Sequence, residues 1–308
     1  MSLAFVFPGQ GSQSVGMLAG FADAAVVKAT FDEASAALNQ DLWQLVTEGP
    51  AEALNATVNT QPAMLAAGVA VWRAWLAAGG AKPALLAGHS LGEYSALVAA
   101  EVLGFADAVQ LVRLRAEAMQ SAVPEGEGAM AAVLGLSDAD VVAACAEAAQ
   151  GDVVQAVNFN SPGQIVIAGA KAAVERACEA AKARGAKRAL LLPVSVPSHC
   201  DLMRPAADAL LARLDQITLN APNIPVLHNA DVASYQDPAQ IKDALARQLY
   251  QPVRWVETVQ AMAAQGATVF AECGPGKVLV GLDKRIASDA QHVALTDAAA
   301  FDALKALL

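Results

Sequence analysis

A serine between two glycines, Gly88-His89-Ser90-Leu91-Gly92, is the stretch of this chain best suited to covalent chemistry. The apolar run Ala84-Leu85-Leu86-Ala87 before it has the pattern of a buried strand. The Ala/Leu/Val-rich run from Leu91 to Leu103 has that of a helix. Strand, tight turn and helix form the setting in which Gly-x-Ser-x-Gly builds a nucleophile elbow. Gly88 and Gly92 let strand and helix approach closely, and Ser90 takes the strained turn position. Its hydroxyl then stands at a helix N-terminus, where free N–H groups and partial positive charge favour a developing oxyanion. The pentapeptide alone also arises by chance; the flanking strand and helix give it meaning.

A nucleophilic serine needs a base. The loop Pro193-Val194-Ser195-Val196-Pro197-Ser198-His199-Cys200 is stiffened by two prolines and delivers His199 just after a predicted strand. Ser90 and His199 follow the hydrolase order of nucleophile before base. His228, at the end of the short strand Pro225–Asn229, is a weaker rival, and no aspartate stands out as a third member; Asp201 is close only in sequence.

A second feature lies on the predicted helix Asp107–Ala122. At 100° per residue, Ala108, Val109, Leu111, Val112, Ala116 and Met119 share one face, and Arg115 falls inside it, whereas Arg113 does not. An arginine aimed into a core needs an anion, because burying an unpaired charge costs several kcal/mol. A ligand carboxylate, a protein Asp or Glu, and a snorkelling side chain all meet that need, and periodicity does not choose among them.

Composition narrows the classes. With 308 residues, 56% of them hydrophobic and 16% charged, the chain can bury a substantial core. A net charge of −10 argues against nucleic acid as a general partner. The four cysteines, Cys145, Cys178, Cys200 and Cys273, form no Cys-x-x-Cys pair, and with only four histidines no metal is expected. Residues 1–8 lack a basic leader. The longest apolar stretch, Pro62 to Gly80, is Ala-rich and carries Arg73, so it reads as a core helix. A soluble, cytoplasmic protein without membrane contact is expected, acting as a monomer.

These residues need elements to hold them. Leu3–Phe7 reads as a buried strand entering the turn-rich loop Pro8-Gly9-Gln10-Gly11-Ser12-Gln13, which can present N–H groups to a ligand. Phe21–Asn39 and Leu42–Thr47 read as helices, and Pro62 as the first turn of a helix over Ala63–Ala78. After the break at Val123–Gly128 the order is β-α-β-β-α-β, the split-βαβ pattern of a ferredoxin-like unit. Strands and helices alternate on either side of it. The predicted architecture is α/β: a larger, mostly parallel sheet domain over residues 1–123 and 193–308, with a ferredoxin-like small domain inserted at 124–192.

Five motifs, in order and at matching spacing, carry a resemblance. They are Phe7-Pro8-Gly9-Gln10-Gly11-Ser12-Gln13, Gly88-His89-Ser90-Leu91-Gly92-Glu93-Tyr94-Ser95-Ala96, Asn158-Phe159-Asn160-Ser161-Pro162-Gly163-Gln164, Val196-Pro197-Ser198-His199 and Gly274-Pro275-Gly276-Lys277. Together they resemble the malonyl-CoA:acyl carrier protein transacylases of bacterial type II fatty acid synthesis over essentially the whole chain. The resemblance implies a hydrolase-like α/β domain with an inserted ferredoxin-like domain. It implies malonyl-CoA as donor, with coenzyme A released, acyl carrier protein as acceptor, and no cofactor. Residue by residue it makes Ser90 the nucleophile, His199 the base and Arg115 the grip on the malonyl carboxylate. The N–H groups of Gln10 and Leu91 become the oxyanion hole. The carbonyl of Gln248 orients the histidine in place of an acid, and Asn160 and Gln164 contact coenzyme A.

Two other classes use parts of the same pattern. A thioesterase or carboxylesterase would use Ser90 and His199, let water reach the acyl-enzyme and have no need of Arg115. A non-catalytic docking module would rest on the basic run Lys182, Arg184, Lys187 and Arg188, set against an acidic carrier protein or simply solvated.

Overall fold

The structure, a computed structural model, describes residues 2–21, 24–194 and 196–308; Ser195 of the predicted histidine loop lies outside them. Nine strands are found there: β1 (Ser2–Phe7), β2 (Leu85–Gly88), β3 (Gly128–Leu134), β4 (Val154–Ser161), β5 (Gln164–Ala170), β6 (Arg188–Leu191), β7 (Val226–Leu227), β8 (Ala267–Glu272) and β9 (Gln291–Ala294). They form two sheets. One has the order β7-β2-β1-β8-β9 with every pairing parallel; the other has the order β4-β5-β3-β6 with every pairing antiparallel. With helices Asp138–Ala149 and Lys171–Ala183, the second sheet has the predicted β-α-β-β-α-β order.

Strand β1 shows why the parallel sheet needs cover on both faces. Leu3, Phe5 and Phe7 join a core with Trp72 and Trp75 of helix Thr57–Ala77, while Ala4 and Val6 join another with Trp255, Val259 and Met262 of helix Trp255–Ala264. A central parallel strand apolar at five successive positions, as here from Leu3 to Phe7, is buried on both sides. In the antiparallel sheet, Ala131, Val133, Ile165 and Ile167 pack against its own two helices. The opposite face, through Met130, Val157, Val166 and Ala168, packs on Cys200 beside the histidine loop. A backbone clasp joins this sheet to the rest: Phe159 N–H donates to Val253 O at 3.0 Å, and Val253 N–H donates to Val157 O at 2.8 Å.

Several boundaries differ from the sequence reading. The long helix begins at Thr57, so Pro62 sits inside it. The turn ahead of the proline is closed by Asn59 and Thr60 N–H groups on Ala56 O and by Thr60 Oγ1 on Leu54 O, so the ring removes a single backbone bond near the helix start. The predicted helix from Phe21 begins at Ala25 and ends at Leu38, where Asn39 turns left-handed. The elbow helix is Gly92–Ala99 and stops short of Leu103. Glu101 takes a left-handed φ of 62°, and Val102 N–H folds back to Leu97 O at 2.9 Å. Strand β9 and the helix Ala298–Lys305 were not predicted, because β9 has four residues and none is fully buried.

The two elbow glycines are required by distance. A Cβ on Gly88 would lie 1.9 Å from the Gly92 carbonyl carbon, and one on Gly92 would lie 2.0 Å from Phe7 O. Both clashes are with backbone, which cannot step aside. Gly88→Ala is therefore expected to cost about 3 kcal/mol or more, read as a lower denaturation midpoint; an unchanged midpoint would refute the close approach.

Candidate active site

Ser90 sits at the elbow with φ at 52°, in the left-handed region that a non-glycine residue rarely adopts. Hydrogen bonds hold it there. Its N–H donates to Asn229 Oδ1 at 2.7 Å, and its carbonyl accepts from Glu93 N–H at 3.1 Å and Gln248 Nε2 at 2.9 Å. The hydroxyl meets His199 Nε2 at 2.7 Å. His199 is also left-handed, with φ at 67°, and its N–H is tied to Leu249 O at 3.0 Å.

The histidine's tautomer follows from its partners. Nδ1 lies 2.7 Å from the backbone oxygen of Gln248, which can only accept, so Nδ1 carries the proton. Nε2 is then free to accept from the Ser90 hydroxyl. Burial first, and the Arg115 charge next, push His199 down to about 3 against the opposing pull of the Gln248 carbonyl. The imidazole is therefore neutral at neutral pH, the form a base needs.

Arg115 is 1% exposed and joins this group. Nη1 donates to Gln61 Oε1 at 2.8 Å and Nη2 to Gln248 Oε1 at 3.1 Å, while Nη2 also lies 3.4 Å from Ser90 Oγ. The guanidinium stands over the Tyr94 ring at 5.5 Å. No ion pair among the described residues includes it, and its Nε has no partner. Burial lowers its pKa, but an arginine stays charged in a protein. The protein-carboxylate and snorkelling alternatives left open by the helical periodicity do not describe this side chain.

A cavity of about 240 Å³ opens beside these groups, walled by Gln10, His89, Ser90, Leu91, Arg115 and His199 on one side. Met130, Asn158, Asn160 and Val166 of the antiparallel sheet form the other. The backbone N–H groups of Gln10 and Leu91 have no protein acceptor among the described residues. Asn160 Oδ1 accepts from His89 Nε2 at 2.7 Å. Gln164 does not reach the cavity; its side chain turns to Arg285, which donates to it at 3.2 Å. Among the described residues no group of three His, Cys, Asp or Glu side chains is placed to hold a metal ion, and no helix is long and apolar enough to cross a membrane.

The family model described as the acyl transferase domain matches residues 4–297. This chain belongs to the acyl transferase domain family. It is 61% identical over 301 residues to a malonyl CoA-acyl carrier protein transacylase of Salmonella typhimurium, covering 97% of each chain. A crystal structure of an acyl carrier protein S-malonyltransferase from Vibrio cholerae superposes with a TM-score of 0.97 at 60% identity, over 99% of this chain and 100% of that one. A malonyl-transacylase in complex with a type II PKS acyl carrier protein has a TM-score of 0.97 at 56% identity, over 98% of both chains.

In this acyl transferase the sequence reading missed three supporting side chains. Gln61 holds Arg115 and also donates to Met119 Sδ at 3.7 Å; Asn229 holds the Ser90 backbone; Glu93 lies beneath the elbow. A carboxylate in the first turn of an otherwise apolar helix was the one available signal for Glu93. His228, the rival base, is buried and does not line the cavity, its Nδ1 held by Glu93 Oε1 at 2.7 Å. In the basic run, Lys182 pairs with Glu179 at 2.8 Å and Arg184 with Glu147 at 2.6 Å.

The charge relation between Arg115 and His199 has a measurable sign. In ¹⁵N spectra His199 is expected to stay neutral, protonated on Nδ1, from about pH 8 to pH 5. The neighbouring cation opposes an imidazolium, so Arg115→Ala should raise the histidine's pKa. Titration near the ordinary value of about 6.5 in the unsubstituted protein would overturn this account of burial.

Proposed function

We propose that this acyl transferase moves the malonyl group of malonyl-CoA to the pantetheine thiol of acyl carrier protein through a malonyl-Ser90 intermediate. The observation that carries the proposal is Arg115: a buried guanidinium, met only by neutral acceptors, 3.4 Å from the Ser90 hydroxyl. Its planar fork matches a carboxylate at the far end of a three-carbon acyl group. The names of the relatives supply the same donor and acceptor.

His199 Nε2 takes the Ser90 proton as Oγ attacks the thioester carbonyl. The N–H groups of Gln10 and Leu91 receive the oxyanion, each worth about 3 kcal/mol in comparable sites. Collapse expels coenzyme A, whose sulfur takes the proton back from His199. The carrier thiol then gives its proton to His199 and attacks malonyl-Ser90, and Ser90 leaves reprotonated. The Gln248 carbonyl keeps the histidine's tautomer throughout. Asn160, on the cavity wall, contacts the pantetheine end of coenzyme A, and Gln164, beside Arg285, its outer part. Exchange between thioesters needs no redox partner or metal. The proposed residues all come from one chain, which supports a working monomer, and both substrates are soluble, which supports a cytoplasmic setting. Residues 124–192 serve as an inserted ferredoxin-like domain that closes one side of the cavity.

Intact mass after brief mixing with malonyl-CoA should show the gain of one malonyl group, absent in Ser90→Ala and discharged by holo carrier protein. Steady release of malonate with no adduct would favour a hydrolase instead. Arg115→Ala should slow malonyl loading by about 100-fold or more, the scale of a lost buried charge contact, while acetyl loading from acetyl-CoA rises relative to it. Unchanged malonyl preference in that variant would remove Arg115 from the specificity role.

A further inference from the structure

We infer that Glu93 is the positioning acid of this site: one solvent-sealed carboxylate fixes the nucleophile and the base together by holding Gln248 and Asn229. The inference rests on the proposed roles of Ser90 and His199. Glu93 is fully buried in the first turn of helix Gly92–Ala99, where the helix dipole favours a negative charge. Its Oε2 accepts from Asn229 N–H at 2.9 Å and from Gln248 Nε2 at 2.9 Å, and its Oε1 from His228 Nδ1 at 2.7 Å.

Each neighbour leads to the chemistry. The Gln248 Nε2 that meets Glu93 also donates to Ser90 O, its Oε1 accepts from Arg115, and its backbone oxygen holds His199 Nδ1. Asn229 Oδ1 accepts from Ser90 N–H, and Asn229 Nδ2 donates to Gly88 O at 2.7 Å. The N–H and the carbonyl of the strained serine, and the imidazole ring, are thus all tied to groups anchored on the same carboxylate. Glu93 touches no reacting atom. Without it, three buried donors lose their acceptor at once, and each can be satisfied only by moving. A shift of about 1 Å in reacting groups can cost about 100-fold in rate.

The Gln248 amide also stands between the Glu93 carboxylate and Arg115. The two charges lie close without pairing, so the guanidinium keeps its fork for a ligand while the buried cation is partly balanced.

The test is the burst of Ser90 acylation by p-nitrophenyl acetate, which has no carboxylate for Arg115 and reads the Ser90–His199 pair alone. Acylation of the unsubstituted protein and its absence in Ser90→Ala check the nucleophile separately. Glu93→Ala should acylate about 100-fold more slowly. Glu93→Gln should recover most of the rate, because an amide oxygen still accepts from Asn229 and Gln248 while His228 can adopt its other tautomer. Glu93→Asp keeps the charge but withdraws the carboxylate by one methylene, and should lose about tenfold or more; it serves if the alanine variant fails to fold, judged by thermal unfolding. The His199 Nδ1–H proton resonance, assigned by its loss in His199→Ala, should exchange faster with water in the Ala and Asp variants and not in Gln. A wild-type burst in folded Glu93→Ala or Glu93→Asp would overturn the inference. So would equal losses in Gln and Ala, which would make charge, not position, the cause.

Discussion

The organising constraint of this molecule is a buried cation that no carboxylate touches. Arg115 lies on the apolar face of its helix and is met by two amide oxygens, an aromatic ring and the nucleophile's hydroxyl. An arrangement of that kind is costly, since neutral acceptors replace only part of the water that a guanidinium loses. It persists because the surrounding fold is over-determined. The parallel sheet is packed on both faces, the elbow glycines lock strand to helix, and the supporting amides of Gln61, Asn229 and Gln248 are each hydrogen-bonded through both oxygen and nitrogen. The stability of the large core is what lets the site hold an unsatisfied charge, which the proposed malonyl carboxylate would complete.

The same charge shapes the base. A histidine whose Nδ1 faces a carboxylate gains basicity, whereas His199 faces a backbone carbonyl, is fully desolvated and has a cation nearby. Burial and the cation keep the imidazole neutral and make its cationic form short-lived, and a neutral carbonyl opposes them less than a carboxylate would. For a reversible exchange between two thioesters of similar energy, a base that readily gives its proton back is no handicap.

Much of this was legible in the sequence, for physical reasons that differ by residue. Ser90 was visible because an elbow needs glycines at two fixed positions. Arg115 was visible because helical periodicity makes a misplaced charge conspicuous, although its partner could not be read from periodicity. His199 needed only a rigid loop after a strand. Gln248 entered solely through family resemblance: it orients the histidine through its backbone oxygen, and a backbone atom leaves no trace in residue type. Asn229 and Gln61 act through pairings between residues far apart in the chain, which no local pattern encodes. The parallel character of the large sheet and the β-α-β-β-α-β run of the small unit followed from element alternation; the strand orders come from the fold. The ends of elements did not, because a left-handed Glu101 or a proline tolerated inside a helix is decided by tertiary contacts. Gln164 illustrates the converse, a motif position that the fold directs to a surface partner and away from the cavity.

The backbone clasp at Val253 gives the cavity a mechanical asymmetry. Strand β4 is stitched by two main-chain hydrogen bonds to Val253, in the segment ahead of helix Trp255–Ala264 that packs on the parallel sheet, and its own residues Asn158 and Asn160 line the cavity. The opposite rim, formed by Leu192, Val194 and Val196, is a loop that runs on from an edge strand. One jaw of the cleft is therefore bolted across two parts of the fold, and the other continues from the end of a single edge strand. The clasp thereby holds the Asn158 and Asn160 side of the cavity in register with the strand that leads to Ser90, because Val253 and Ala87 share one apolar core.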